Sequence, residues 1–198
     1  MTHRTLDLIR HGQPQGGSRY RGHGVDDPLS PRGWEQMRTA VGTQCHWDVI
    51  VSSPLRRCRE FAREVSERHD LALHIDEDLK EVGFGAWEGK TRVEIQAEDP
   101  EGYRAFYRDP IHARPPGAEP LETFLERTRH AWQRLLDHPA PRLLVVAHAG
   151  VIRALLTHAL EAPPQALYRL QVDNAHLSRI QLHGKRPTLV FHNRPRLD

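Results

Sequence analysis

The sequence predicts an α/β protein of three layers, with a mixed, mostly parallel central sheet and helices on both faces. Two observations predict it. Short apolar runs of strand length alternate with helices that are apolar on one side only, and the last apolar runs form a closing hairpin. The chain has 198 residues with no internal repeat or composition break, so one domain over residues 1–198 is expected.

The elements follow in order. Thr5 to Ile9 is apolar except for Asp7 and reads as the first strand. It stops at the polar, glycine-rich stretch Arg10 to Gly24, a long loop where chemistry is expected. Ser30 before Pro31 is a helix start, a capping hydroxyl followed by proline at the first helical position, and the helix should run to about Val41. Asp48 to Ser52 reads as the second strand. Leu55, Cys58, Phe61, Ala62 and Val65 recur at steps of three and four, which makes 53–69 a one-sided helix. Leu71 to Ile75 is a third strand, and residues 76–90, with Gly83, Gly85 and Gly89, read as a loop. Helical pieces follow near Thr91 to Glu98 and Glu101 to Tyr107. Prolines at 110, 115, 116 and 120 then forbid regular structure. Glu122 to Asp137 is an amphipathic helix, Arg142 to Ala147 a buried strand and Val151 to Leu160 another helix. His176 to Leu182 and Thr188 to His192 pair around Gly184 and Lys185.

Composition excludes several classes of function. Net charge is only +2, with 28 basic residues against 26 acidic ones, which argues against a nucleic-acid-binding surface. The longest apolar run, Leu143 to Ala147, is far below the roughly 18 residues of a membrane span. Residues 1–10 carry charges among their apolar positions and read as no signal peptide, so a cytoplasmic protein is expected. Cys45 and Cys58 are expected to be free, inert thiols.

The polar residues fall in one place. The first, second and fourth strands end in Arg10 and His11, in Ser52 and Ser53, and in His148. Parallel strands put those ends along one edge of the sheet, where open α/β folds bind ligands. Histidines could hold a metal, but no short-spaced Asp, Glu or Cys ligands accompany them. Guanidinium groups repel a cation and bind oxyanions bidentately, so an oxyanion is the better occupant. Trp34, Trp87, Tyr103, Phe106 and Tyr107 are read as core in preference to a substrate wall.

These blocks carry a resemblance. Leu8 to Gly12, Ser52 to Arg57, and Leu79, Glu81, Gly83, Gly85 and Trp87 to Gly89 resemble the histidine phosphatase superfamily, the branch that includes the phosphoglycerate mutases. Pro115 to Gly117 with Glu119, Val145 to His148, and the helix positions Pro28 to Ser30, Gly33 and Gln36 resemble further blocks of that family, in order and along nearly the whole chain. The resemblance implies a phosphoglycerate mutase-like fold, His11 as nucleophile, Glu81 as proton donor, and Arg10, Arg57 and His148 as the phosphate pocket. Metal and cofactor are not implied. Arg56 is the rival of Arg57; Glu77, Asp78 and Glu88 rival Glu81; Glu119 is left open as a supporting or substrate-side residue. Gln13, Pro14, Cys58, Phe61 and Ala149 depart from the family pattern and bear on substrate preference. The expected partner is a small phosphorylated metabolite, with a homodimer left open. The expected activity is a phosphomonoesterase working through a phosphohistidine, as in α-ribazole phosphatase-like members. A mutase of the same fold and a silent phospho-ligand binder are the alternatives.

Overall fold

The computed structural model describes residues 3–197. Six strands form one sheet: β1 (His3–Arg10), β2 (Val49–Ser52), β3 (Ala72–Ile75), β4 (Arg142–Ala147), β5 (Leu177–His183) and β6 (Arg186–Arg194). Their order is β3-β2-β4-β1-β5-β6, parallel from β3 to β1 and antiparallel through β5 and β6. The expected mixed, mostly parallel sheet is present.

Four helices cover it, α1 (Pro31–Val41), α2 (Arg56–His69), α5 (Leu121–Asp137) and α6 (Ala149–Ala159), and two more, α3 (Arg92–Glu98) and α4 (Pro100–Arg108), lie beside it among the described residues. Strand alternation sorts the core into two layers. Leu6, Leu8, Leu143 and Val145 pack against α5 and α6, whereas Ile9, Ile50, Leu144 and Val146 pack against Met37 of α1 and Phe61 of α2. The charge inside β1 has a reason: Asp7 is buried and accepts from Trp47 Nε1 at 2.8 Å and from Arg179 at 2.8 and 2.9 Å. A third cluster of Trp87, Ile95, Tyr103 and Phe106 ties α3 and α4 to the loop after β3. Trp87, Tyr103 and Phe106 are core, as expected, and Trp34 packs partly buried against the α1 and α2 layer, whereas Tyr107, also read as core, is 55% exposed at the end of α4.

Boundaries differ from the reading where local chemistry intervenes. The α2 helix starts at Arg56, three residues late, because Pro54 disfavours helical backbone at Ser53. Ser53 Oγ instead accepts from Leu55 N. The α6 helix starts two residues early, directly at the end of β4. The loop after β3 contains short 3-10 turns at Glu77–Leu79 and Gly85–Trp87, and a further one lies at Pro164–Arg169. No helix among the described residues is long and apolar enough to cross a membrane.

The topology fixes where a ligand can go. β1 and β4 are neighbours, yet β1 leads into α1 on one face and β4 into α6 on the other. Such a switch point leaves a crevice at the carboxyl ends of the two strands. Arg10 pairs with Ala147 in the register, so Arg10, His11 and His148 meet there.

Candidate active site

A cavity of about 410 Å³ opens at that crevice, lined by Arg10, His11, Arg57 and Glu81 among others. Its first component is the turn after β1. The His11 amide donates to Ala147 O at 3.0 Å, and Asn174 Nδ2 donates to His11 O at 3.0 Å. His11 Nδ1 lies 2.8 Å from Gly12 O. A carbonyl only accepts, so Nδ1 carries the hydrogen and Nε2 keeps its lone pair. Gly12 is obligatory in this turn: a Cβ there would meet Gly33 O of α1 at 2.2 Å. The glycine of the Arg-His-Gly run and the glycine of the first helix are thus one backbone crossing, seen from two strands of sequence.

Two guanidiniums flank the ring. Arg57 is 1% exposed and donates from Nη1 to Val25 O at 3.0 Å and from Nη2 to Gly22 O at 2.8 Å. Arg10 donates from Nη1 to Val172 O at 2.6 Å. Each keeps a buried Nε without an acceptor among the described residues. Buried cationic donors left in this state call for an anion. Arg56 is exposed and pairs with Glu60 one turn along α2, away from the cavity lining. The rivalry between the two is therefore decided by position in favour of Arg57.

Electrostatics follow from burial. The His11 imidazole is held well below its ordinary titration range, first by burial and then by the charges of Arg10 and Arg57. His148 is shifted the same way by burial, with Arg57, His11 and Arg10 adding to it. Arg10 itself is lowered to about 10 by burial, with the Glu81 charge opposing. Both rings are accordingly neutral at physiological pH. The sign for stability is definite: the unfolded rings take up protons below about 6.5 and the folded ones do not, so stability falls with acid. Each ring contributes up to about 1.4 kcal/mol per pH unit. Thermal unfolding should show a midpoint dropping from about pH 7 to about pH 5, with a shallower slope in His148→Asn. An unchanged slope in that variant would contradict the assignment.

His148 lies behind His11, not in the cavity lining. It is fully buried, its ring 5.2 Å from that of His11, with Nε2 2.7 Å from Ser53 Oγ and 3.5 Å from Cys58 Sγ. Ser53 and Cys58 therefore meet a site histidine, a contact predicted for neither of them. The signal was there, two small hydroxyl residues ending a fully buried strand.

Glu81 reaches the cavity from the loop after β3. Its Oε1 accepts from Val82 N at 3.0 Å and its Oε2 from Gly150 N at 3.2 Å, in the first turn of α6. A Cβ on Gly150 would lie 2.4 Å from Oε1, so glycine there lets the Glu81 carboxyl sit against the α6 backbone. None of the rival carboxylates lines the cavity: Glu77 is exposed, and the other two are bound to partners. Glu88 accepts from Gly24 N and Phe84 N, and Asp78 pairs with Arg134. Glu119 is outside the lining, paired with Arg127.

The expected loop 10–24 supplies the rim, with Tyr20 and Arg21 in the lining. Gln13, Pro14 and Ala149 line the cavity too, while Cys58 and Phe61 are buried in the core, so the departures from pattern fall on rim and packing. Phe84, Phe124, Leu121 and Tyr168 form an apolar side that aromatic spacing alone did not single out. Among the described residues no three His, Cys, Asp or Glu side chains converge as metal ligands.

A family model described as histidine phosphatase superfamily (branch 1) matches residues 6–195. The chain belongs to the histidine phosphatase superfamily. It is 33% identical over 190 residues to an adenosylcobalamin/α-ribazole phosphatase of Escherichia coli, covering 93% of both chains. It is 37% identical over 184 residues to a bifunctional protein of Mycobacterium tuberculosis, 90% of this chain but only 50% of that one. The chain thus spans about half the length of the mycobacterial relatives it matches. Among solved structures, the α-ribazole phosphatase of Shigella flexneri superposes with a TM-score of 0.85 at 30% identity, covering 98% of each chain. A mycobacterial glucosyl-3-phosphoglycerate phosphatase gives 0.84 at 30% identity, covering 97% of this chain and 99% of that one. The histidine phosphatase fold expected from the ordered blocks is present.

Proposed function

We propose that this histidine phosphatase is a phosphomonoesterase that hydrolyses a small organic phosphate through a phosphohistidine at His11, in one domain spanning residues 1–198. One observation carries the reading: a neutral imidazole with a free Nε2 shares a cavity with two guanidiniums that each keep a buried Nε–H without an acceptor among the described residues. Phosphoryl transfer needs an in-line nucleophile and fixed positive donors around the equatorial oxygens, and this site offers both. His11 Nε2 attacks phosphorus, the P–O bond to the alcohol breaks, and Glu81 delivers the proton that the departing oxygen needs. Glu81, now a carboxylate, then takes a proton from water as its oxygen attacks the phosphohistidine, releasing phosphate and free His11. Arg10 and Arg57 hold the phosphoryl oxygens throughout. His148, neutral and behind His11, orders that pocket through its ring and its Ser53 contact.

The apolar side built by Phe84, Phe124 and Leu121 favours a substrate whose alcohol part is larger than a bare phosphate requires. The named relatives act on α-ribazole and glucosyl-3-phosphoglycerate phosphates, and compounds of such size are the substrates to try first. Cys45 and Cys58 are both free thiols, which supports a reducing, cytoplasmic setting.

Arg57→Ala should lower kcat/KM on an aryl phosphate by about 10² to 10³, the usual cost of a preorganised donor, while Arg56→Ala changes it by less than about threefold. Steady-state kinetics of both variants check this, and equal losses would remove Arg57 from the pocket. A panel of sugar phosphates, phosphoglycerates and nucleotides tests the activity itself. Phosphate release without isomerised product supports the esterase; isomerisation would favour a mutase, and binding without turnover a silent binder.

A further inference from the structure

Glu81 sits on a loop, and a loop places a carboxylate accurately only if something holds its backbone. Residues 78–83 are gripped by one ion pair near the start of α5, with His23 Nδ1 3.0 Å from Glu81 O and Arg114 Nη2 donating to Gly83 O at 3.0 Å beside it. Arg127, 11% exposed, donates from Nη1 to Asp78 O and Lys80 O, both at 2.7 Å, and from Nη2 to Glu81 O at 3.1 Å. The same guanidinium grips Glu119, 10% exposed, through Nε and Nη2 at 2.7 and 2.8 Å. Glu119 Oε2 in turn accepts from Gly83 N at 3.0 Å. The carbonyls before and at Glu81 and the amide two residues after it are therefore tied to a single bidentate pair. A buried guanidinium is costly unless its donors are satisfied, and here backbone carbonyls of the Glu81 loop satisfy three of five bonds. Neither residue lines the cavity.

We propose that Arg127 and Glu119 are positioning residues that act through Glu81: they set the place of its carboxyl, and so govern proton delivery to the leaving oxygen without touching the substrate. The inference rests on the reading of Glu81 as leaving-group acid. Displacement of a reacting group by about 1 Å costs on the order of 10² in rate, whereas loss of a mere fold contact lowers all substrates alike. An alkyl alkoxide needs the proton; an acidic phenolate does not.

The test compares Arg127→Lys and Glu119→Gln with wild type in rapid-quench phosphorylation by an alkyl phosphate and by an aryl phosphate with an acidic phenol. Folding of each variant is checked by circular dichroism and thermal unfolding. Glu119→Gln keeps an acceptor for the Gly83 amide and carries the test if Arg127→Lys does not fold. We expect alkyl phosphorylation to fall by about tenfold or more and aryl phosphorylation by less than about threefold. In the Glu81→Gln background, Arg127→Lys should cost the alkyl reaction nothing further, since the group it positions is gone. Equal losses on both substrates in folded variants, or losses that multiply with Glu81→Gln, would overturn the proposal. Selectivity in Glu81→Gln with none in the clamp variants overturns the clamp alone. Absence of selectivity in Glu81→Gln itself overturns both the acid's role and the clamp's.

Discussion

His11→Ala loses turnover of every phosphate monoester by about 10⁴ or more, the scale on which hydrolases suffer when a covalent nucleophile is removed. The reason is geometric. The Gly12 carbonyl takes the Nδ1 hydrogen, so Nε2 is the free lone pair at the cavity, and no second imidazole lines that cavity to replace it. His148 is buried against Ser53, behind the ring it would have to replace. Binding should survive better than turnover. Arg10 and Arg57 remain in place, so inorganic phosphate should still raise the thermal midpoint of the variant. Residual turnover within about tenfold of wild type would assign the attack to another group.

Glu81→Gln separates substrates by their leaving group. Hydrolysis of an alkyl phosphate should slow by about 10² to 10⁴, the usual contribution of a positioned acid. Phosphorylation by an aryl phosphate with an acidic phenol should change little, while the later attack of water slows for lack of a base. A burst of phenol followed by a slower steady state is the expected trace in rapid quench. Glutamine keeps the shape of the side chain and one acceptor oxygen for Val82 N or Gly150 N, so it gives up the proton and one of these two backbone contacts. Equal slowing of phosphorylation for the two substrates would take the acid's role from Glu81.

Much of this site could be read from residues alone because it is local. The Arg-His-Gly turn, the serines ending β2 and the histidine ending β4 follow directly on their strands, and a parallel sheet brings such ends together whatever the rest of the chain does. The Ser30 cap and Pro31 start α1 where expected, with Ser30 Oγ accepting from Gly33 N. What could not be read depends on contacts between distant segments. Arg127 looks like a polar residue beside the apolar stripe of α5, yet its partners lie 46 to 49 residues earlier. The segment after α6 carries no motif, but Val172 O holds Arg10 and Asn174 holds His11, across 162 and 163 residues. Helical phase alone does not choose Arg57 over Arg56 either. The choice is made by the carbonyls of Gly22 and Val25, which receive the Arg57 guanidinium from a loop that has no periodicity.

The most direct measurement is the trapping of the phosphoenzyme. Phosphorus-labelled aryl phosphate is mixed with the intact chain, the reaction is quenched in alkaline detergent during turnover, and the label is mapped by proteolysis. The account predicts up to one label per chain, stable to alkali, lost in mild acid, located on His11 and absent from His11→Ala. A label that survives acid on a hydroxyl such as Ser18 or Ser53, or rapid turnover with no label at any quench time, would contradict it.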